Sequence, residues 1–464
     1  MSLLLALLLA AAQSLAAPYL TLDEAPADGR LYPRGTDGFG TVVVSGRIAA
    51  EGWEEIALEI EGEDGWQAVA RQPLPRAAAG AMAPFELAVP VRAICVEHGA
   101  LLVLRAGARS VVAGSWEGIV AGDVFLCQGQ SNMVAADYHA ENLGNQSQRR
   151  FIRSFGSAST LASEVLADRR WHKADGEDSN ASGTIGAWAL RMGQVLLDNT
   201  GVPLALLNGS VGGTWIALHQ RNDADPDDLT TIYGRLLWRA QQAGVVGAAR
   251  GMFWYQGESD GSNAADYLPD FTDLHADWLA DFPALERIYV VQVRPGCGSP
   301  SLELRDLQRR LADLLPKVVA CTANAIPDHD SCHYLYNGYR VLGDRMAMLV
   351  GRDYYGAPLP GDVESPNILS AHWTTSAHDE FVLTFRQTGD TIVAEAGCEF
   401  DLKLGLGDAV IALTPSGNTL TVTLAAPSTM TEVGYGSHIG TLSRGWIVNA
   451  SGVGALSFEE IPIQ

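Results

Sequence analysis

Residues 122–133 read GDVFLCQGQSNM, and this stretch decides the fold class. Its apolar run DVFLC is typical of a strand that is buried on both faces of a parallel sheet. Polar residues follow at once and end in Ser131-Asn132. Open α/β sheets bind ligands at the carboxyl ends of their strands, so the sequence predicts that Ser131 lies at a ligand-binding edge.

Ser131 has two interpretations. As a nucleophile, it lies at the start of a helix whose free N–H groups favour a developing negative charge. As a structural residue, it only caps that helix. The GxSxG elbow of α/β-hydrolases is absent, because position 133 is Met and not Gly.

Strands and helices alternate from residue 119 to residue 352, which predicts a mostly parallel sheet covered by helices on both faces. The strand-like runs are DVFLC (123–127), VPLALLN (202–208), GMFWYQG (251–257), RIYVVQV (287–293) and VVACTAN (318–324). The helical stretches are 185–198, 229–247, 266–281, 301–315 and 337–350. The flanks, 17–118 and 353–464, consist of short runs broken by Gly, Pro and Asp. Each flank is predicted to be a β-rich module, the first of sandwich type.

The N-terminus carries an apolar run, LLLALLLAAA, at residues 3–12. It is too short to span a bilayer. Small residues at Ser14 and Ala16 then fit a signal-peptidase site, so we expect a signal peptide at 1–16 and a secreted or periplasmic protein. The alternative is a buried N-terminal helix, because no Lys or Arg precedes the run.

The charge balance excludes two classes of partner. The chain has 31 basic and 54 acidic residues, which gives a formal charge of −23. Binding to nucleic acid needs a basic stripe, and adsorption to anionic lipid needs basic clusters, so we expect neither partner. The composition is 47% hydrophobic and 18% charged, which supports large buried cores.

A candidate base and its acid lie in the segment DHDSCH, at residues 328–333. Asp330 and His333 are three residues apart, so the carboxylate can reach the Nδ1–H of the imidazole. Two alternatives remain. Asp330 or Asp328 can simply end the preceding loop, and His329 with His333 has the spacing of a metal pair, although no third ligand is evident.

Two further polar segments follow predicted strands. Residues 209–214 read GSVGGT, in which Gly212 and Gly213 let the backbone approach a substrate, or form an ordinary β–α turn. In FWYQGESD, at 253–260, Gln256 can donate an N–H to an oxyanion. Glu258 is either a second acid for the base or a residue that holds the loop.

The chain has six cysteines and no zinc-like spacing, so buried free thiols are the simplest expectation. A disulfide between Cys321 and Cys332 is the alternative, because these residues bracket the histidine segment. The cysteines are Cys95, Cys127, Cys297, Cys321, Cys332 and Cys398.

The four motifs occur in the order Ser, Gly, Gln/Glu, Asp-x-x-His, which resembles the SGNH-hydrolase superfamily. More narrowly, GDVFLCQGQSNM, GGT, WYQGESD and DHDSCH resemble the blocks of the sialate O-acetylesterase family of carbohydrate esterases. The smaller segment LRDLQ (304–308) and the C-terminal end of the chain also resemble that family. Two positions depart from the superfamily pattern: Gln256 replaces an Asn, and Tyr334 follows the histidine where Pro is usual.

The resemblance implies a three-layer α/β/α esterase domain at 119–352 that needs no cofactor or metal. It implies Ser131 as nucleophile, His333 as base and Asp330 as its acid. The implied oxyanion donors are the N–H groups of Ser131 and Gly213 and the amide of Gln256.

The implied substrate is an O-acetylated carbohydrate, first of all 9-O-acetylated sialic acid, whose carboxylate would suit Arg294 or Arg305. Acetylated xylan or pectin is the nearest alternative. A glycan-binding protein without turnover and a lipase or thioesterase are alternatives of other classes.

Overall fold

The computed structural model describes residues 20–62, 65–75, 81–261, 263–298, 301–356, 362–386, 391–436 and 444–464. The predicted signal peptide, 1–16, lies outside the described residues. None of the helices within these ranges is long and apolar enough to cross a membrane.

The α-helices of the described ranges are α1 Ser131–Val134, α2 Ala162–Ala167, α3 Ala187–Thr200, α4 Ile232–Ala243, α5 Ala264–Asp281, α6 Leu302–Leu314 and α7 Tyr336–Tyr355. The 3₁₀-helices there are Gly144–Ser147, Ile216–His219, Val246–Ala248 and Cys398–Asp401. The strands are β1 Leu20–Glu24, β2 Leu31–Pro33, β3 Phe39–Ala49, β4 Glu55–Gly62, β5 Gly65–Pro73, β6 Met82–Arg92, β7 His98–Ala106, β8 Arg109–Gly129, β9 Ile152–Phe155, β10 Trp171–Lys173, β11 Leu204–Asn208, β12 Ala249–Tyr255, β13 Arg287–Gln292, β14 Val318–Thr322, β15 Ile368–Trp373, β16 Glu380–Phe385, β17 Ile392–Ala394, β18 Leu402–Lys403, β19 Val410–Ser416, β20 Thr419–Leu424, β21 Glu432–Tyr435, β22 Ile447–Asn449 and β23 Phe458–Pro462.

The central sheet has the strand order β10-β9-β11-β8-β12-β13-β14. Neighbouring strands are parallel, except that β10 runs antiparallel to β9 at one edge. Alternate residues of β8 face opposite sides. Phe125 and Cys127 share a core with α3 and α7, whereas Val124 and Leu126 share a core with α4, α5 and α6. The predicted α/β region with flanking β-rich regions is confirmed.

The ends of the long helices follow from their local sequence. The hydroxyl of Thr231 accepts a hydrogen bond from Gly234 N at 2.9 Å and caps α4, and Ser301 caps α6 through Leu304 N at 3.0 Å. Such caps satisfy N–H groups that have no partner inside the helix. Helix α3 ends just before Gly201, which adopts φ +68°, a conformation that favours glycine.

Strand β8 joins the N-terminal module to the central sheet. Its first part pairs with β7 inside the N-terminal β-rich module, and its last part pairs with β11 and β12. The predicted domain boundary between residues 118 and 119 therefore falls within one continuous strand. Asp123 in this strand is buried and accepts hydrogen bonds from Arg34 at 2.8 and 2.9 Å and from Tyr355 at 2.6 Å. These bonds connect the N-terminal module, β8 and the end of α7.

The described residues of the C-terminal module form three small antiparallel sheets around their own apolar core. The module contacts the ends of the central strands through buried hydrogen bonds. The Gln292 amide donates to Ser457 O at 2.9 Å, and the Asn324 amide donates to Ala455 O at 2.8 Å. The predicted boundary between residues 352 and 353 lies in the last turn of α7, which ends at Tyr355.

Candidate active site

Ser131 lies at the carboxyl end of β8, as predicted. A Cβ atom at Gly129 would overlap Tyr255 O, so only glycine allows β8 and β12 to approach at this point. Gln130 N then donates to Tyr255 O at 3.0 Å, and Ser131 begins α1. Because it is the first residue of a helix, its N–H has no intrahelical acceptor.

His333 contacts this serine although it lies 202 residues away along the chain. Its Nε2 is 3.0 Å from Ser131 Oγ. The ring of Tyr138 packs on the imidazole at 4.3 Å between centroids, and the Tyr138 hydroxyl donates to Ser131 O at 3.0 Å. Burial lowers the pKa of His333 below its ordinary value of 6.5, and the charge of Asp330 offsets this only in part. The imidazole is therefore neutral at neutral pH and can accept a proton from Ser131.

Asp330 shapes the loop that carries His333. Its Oδ1 accepts hydrogen bonds from the N–H groups of Cys332 and His333, both at 2.7 Å. Burial raises its pKa, but these two bonds outweigh burial and bring the pKa below the ordinary value. Among the hydrogen bonds of the described residues, none joins this carboxylate to the imidazole of His333. Oδ2 instead lies 3.4 Å from Nε2 of His139, a residue that sequence reasoning missed.

Glu258 is buried and acts on a different residue of the site. Its Oε1 accepts from the Asn132 amide at 2.8 Å, and the same amide donates to Cys332 O at 3.1 Å. Asn132 therefore ties the serine helix to the histidine loop. Burial raises the pKa of Glu258 to about 7. Glu258 is one of the residues that line the pocket, and its buried Oε2 has no hydrogen-bond partner among the described residues.

The glycine segment lies directly beside the serine. A Cβ at Gly212 would lie 3.6 Å from Cβ of Ser131. Gly213 adopts φ +71° and lines the same pocket as Ser131 and His333. Because it shares the pocket with Ser131, its N–H is the candidate for a second oxyanion donor.

The two glutamines of the site differ from the prediction. Gln256 is fully buried, does not line the pocket, and donates through Nε2 to Thr214 O at 3.0 Å and to the Asp260 carboxylate. Gln130, which lines the pocket, holds its Oε1 toward Ser259 N at 3.2 Å. This orientation leaves its Nε2 without an acceptor in the described part of the chain. The glutamine predicted from the sequence is Gln256, whereas the glutamine that lines the pocket is Gln130.

The disulfide differs from the expected pairing. Cys332 bonds to Cys297, which lines the pocket after β13, and not to Cys321. Cys321 is a buried free thiol whose Sγ lies 3.3 Å from Val290 O, so it points into the sheet core. The disulfide fixes the histidine loop at a second point, next to His333.

Three charged or metal-type candidates lie away from the serine. Arg294 is 3% exposed, and its guanidinium contacts His329 Nε2 at 2.9 Å, whereas Nε2 of His333 faces Ser131 Oγ. Arg305 is also 3% exposed and bonds to Gly436 O and to Ser457 Oγ. Neither arginine lines the pocket.

The pocket around Ser131 is an open cleft of about 760 Å³. This volume lies within the range of roughly 300–1,000 Å³ that is usual for small-molecule sites. Its rim includes Trp215, which is 50% exposed and follows the glycine segment directly.

Comparison with known families agrees with this geometry. The family described as "Carbohydrate esterase, sialic acid-specific acetylesterase" matches residues 121–351, which contain all four motifs. The chain belongs to this family. It is therefore an ester hydrolase of the carbohydrate acetylesterase type. The matched range ends at residue 351, one residue before the end of the predicted catalytic domain, 119–352.

One solved structure resembles this carbohydrate esterase over nearly its whole length. A carbohydrate acetylesterase from Xanthomonas citri is 19% identical with a TM-score of 0.64, and the match covers 95% of this chain and 99% of that chain. A protein from Arabidopsis thaliana is 20% identical with a TM-score of 0.40, and the match covers 50% of this chain and 99% of that one. A comparison with curated proteins gave no match. At 19% identity, the first likeness bears on the fold alone.

Proposed function

We propose that the protein is a serine esterase that removes acetyl groups from sugar hydroxyls, with a catalytic domain of the SGNH-hydrolase type. The observation that carries the proposal is the distance of 3.0 Å between His333 Nε2 and Ser131 Oγ at the edge of the cleft. This is the distance that proton transfer from a nucleophile to its base requires.

The reaction proceeds through an acyl-enzyme. His333 accepts the proton of the Ser131 hydroxyl while Oγ forms a bond to the acetyl carbonyl carbon. The resulting oxyanion is stabilised by the N–H groups of Ser131 and Gly213. His333 then protonates the sugar oxygen as the bond to it breaks. Water, deprotonated by His333, then attacks the acetyl-serine; as the bond between the acetyl carbon and Oγ breaks, His333 returns the proton to Ser131 Oγ and acetate is released.

Asp330 is the acid that we assign to His333. Asp330 lies in the same loop as His333, and its negative charge favours the imidazolium cation that forms when His333 accepts a proton. We expect the hydrogen bond between the Asp330 carboxylate and the His333 imidazole to form when substrate binds, because catalytic hydrogen bonds often tighten in the substrate complex. We assign Glu258 and Gln256 to positioning, because their polar groups hold Asn132, Thr214 and Asp260.

The family description names sialic acid, so the first substrate to consider is an O-acetylated sialic acid. Acetylated xylan and pectin are the second candidate. An exported enzyme suits both substrates. Support for export comes from the apolar N-terminal run and from the Cys297–Cys332 disulfide, since disulfides persist in oxidising compartments.

The test is acetate release from O-acetylated sugars by the wild type and by Ser131→Ala. The variant is expected to fold and to lose acetate release by a factor of about 10³ or more, because the attacking oxygen is gone. Circular dichroism provides the folding control. Activity retained in folded Ser131→Ala would overturn the assignment, and a wild type that binds glycan without turnover would favour the binding protein. Faster turnover of long acyl chains than of acetyl would favour the lipase or thioesterase.

A further inference from the structure

We propose that the cleft selects an uncharged O-acetylated sugar over an acidic one, and that Trp215 is the surface on which the sugar ring rests. This inference rests on the proposed esterase function and names its substrate class. It draws on the charge of the cleft, its polar groups and its exposed aromatic ring.

The cleft offers no cation to an acidic sugar. None of the described residues that line it is Lys or Arg. The two arginines that could have bound a carboxylate, Arg294 and Arg305, are each 3% exposed and bond to other groups. A carboxylate that leaves water for this cleft would lose hydration without gaining a charged partner.

The charge that does face the cleft has the wrong sign for an acidic sugar. Glu258 lines the cleft, but burial raises its pKa to about 7, so it carries only part of a negative charge at neutral pH. Asp330 lies in the loop that carries His333, another lining residue. The whole chain adds a formal charge of −23. A substrate carboxylate would therefore meet repulsion at long range.

The polar groups of the cleft suit hydroxyl groups. Its lining includes the side chains of Gln130, Ser179, Asn180 and Ser259, all of them uncharged. The amide of Asn180 is fixed, because its Nδ2 donates to Ser210 O at 2.8 Å and to Ala158 O at 3.2 Å. Its Oδ1, bonded to Ser179 Oγ at 3.3 Å, is held at the cleft as an acceptor. Fixed neutral donors and acceptors recognise sugar hydroxyls without favouring a charge.

Trp215 provides the apolar half of such a site. It is half exposed although it is a large aromatic residue, and it follows Gly213 and Thr214 directly. The next residue is anchored, because Ile216 N donates to Asp260 Oδ1 at 3.1 Å. The backbone that carries the indole is therefore held at the cleft. The flat face of the indole can cover the C–H face of a pyranose ring, while its N–H edge stays in water.

The first experiment compares acetate release from two substrates of nearly equal size, 9-O-acetyl-N-acetylneuraminic acid and its methyl ester, which lacks the charge. We expect kcat/KM to be at least about fivefold higher for the methyl ester, with a larger ratio at low salt because screening weakens repulsion. Acetylated methyl xyloside serves as a second neutral substrate. Equal or faster turnover of the free acid would overturn the proposal.

The second experiment tests the indole. We expect Trp215→Ala to lower kcat/KM on acetylated methyl xyloside about tenfold more than on p-nitrophenyl acetate, and Trp215→Phe to restore part of the difference. Leu218→Ala is the matched control, because Leu218 is exposed on the 3₁₀-helix that follows Trp215 but does not line the cleft. An equal loss on both esters would remove Trp215 from sugar binding. Absence of p-nitrophenyl acetate hydrolysis in the wild type would instead refute the esterase function itself.

Discussion

At the scale of single residues, two carboxylates lie near His333 and are expected to respond differently to the same change. Asp330→Asn keeps an oxygen that accepts the N–H groups of Cys332 and His333, but it removes the charge that stabilises the imidazolium. We expect kcat to fall about 10²–10⁴-fold with the fold intact. Glu258→Gln keeps an acceptor for Asn132, so only a few-fold loss is expected.

Steady-state kinetics of the two variants, with melting temperatures as the folding control, make this comparison. A larger loss in Glu258→Gln than in Asp330→Asn would transfer the role of orienting acid to Glu258.

The pH dependence of kcat/KM reports on His333. The imidazole must be neutral to accept the proton of Ser131, and burial lowers its pKa below 6.5. Activity is therefore expected to be constant around neutral pH and to fall only at some pH below 6.5, as the imidazole becomes protonated. The positive charge of His139 also lowers this pKa, so His139→Gln should shift the acid limb to higher pH.

The exposed His372, in the C-terminal module, provides the control variant His372→Gln, which should leave the profile unchanged. An acid limb above pH 6.5 in the wild type, or a downward shift in His139→Gln, would contradict the assignment.

A site residue could be predicted from the sequence where its position depends on the residues next to it in the chain. The positions of Ser131 and His333 could be predicted, because each lies at the boundary between a loop and a helix, whereas the predicted contact of the Asp330 carboxylate with the imidazole is not present. The choice between Gln130 and Gln256 could not be predicted, since each is adjacent to a glycine at a strand end. Their orientation depends on acceptors such as Asp260 that only the folded loops bring near.

At the scale of elements, the histidine loop is held by the Cys297–Cys332 disulfide. The bond closes a loop with a sequence separation of 35, so its removal is expected to lower the free energy of unfolding by about 2–4 kcal/mol. Cys332 also contributes its N–H to Asp330 and its C=O to Asn132. The double variant Cys297→Ser/Cys332→Ser should therefore lose kcat as well as stability.

Melting temperature and acetate release, each measured with and without dithiothreitol, test this prediction. The reductant should reproduce the loss in the wild type and leave the double variant unchanged. A wild type that keeps full activity after its disulfide is reduced would show that the loop needs no such tether.

The longer elements could be predicted because they have a strong hydrophobic pattern. The expected helices 185–198, 266–281 and 337–350 correspond to α3, α5 and α7. Strands β9 and β10 were missed, because they have four and three residues and include Arg153, His172 and Lys173. Their place in the sheet comes from pairing and not from their own sequence, because β9 pairs with β11 and β10 pairs with β9.

At the scale of the whole molecule, the C-terminal module is expected to be coupled to the central sheet. A Cβ at Gly454 would lie 2.7 Å from Asn324 O, at the contact where Asn324 donates to Ala455 O. Gly454→Ala should therefore separate the two surfaces and lower the free energy of unfolding by about 1–3 kcal/mol. Gly247→Ala is the control, because a Cβ there meets no atom within 4 Å.

Thermal unfolding of the two variants distinguishes the effects. Equal melting temperatures would mean that the module rests only loosely on the sheet. A drop confined to one of two separate transitions would mean that it unfolds independently.

Strand β8 also has a consequence for the order in which the chain folds during synthesis. Its partners in the N-terminal module, β2 and β7, precede it in the sequence, whereas β11 and β12 are translated later. As the ribosome releases the chain from its N-terminus, the first module can close around the first part of β8 while the enzyme domain is still incomplete. The remaining part of the strand then projects from a finished scaffold as a template for the next sheet. The nucleophile of the enzyme is thus positioned by a module that is folded before its base, His333, has been made.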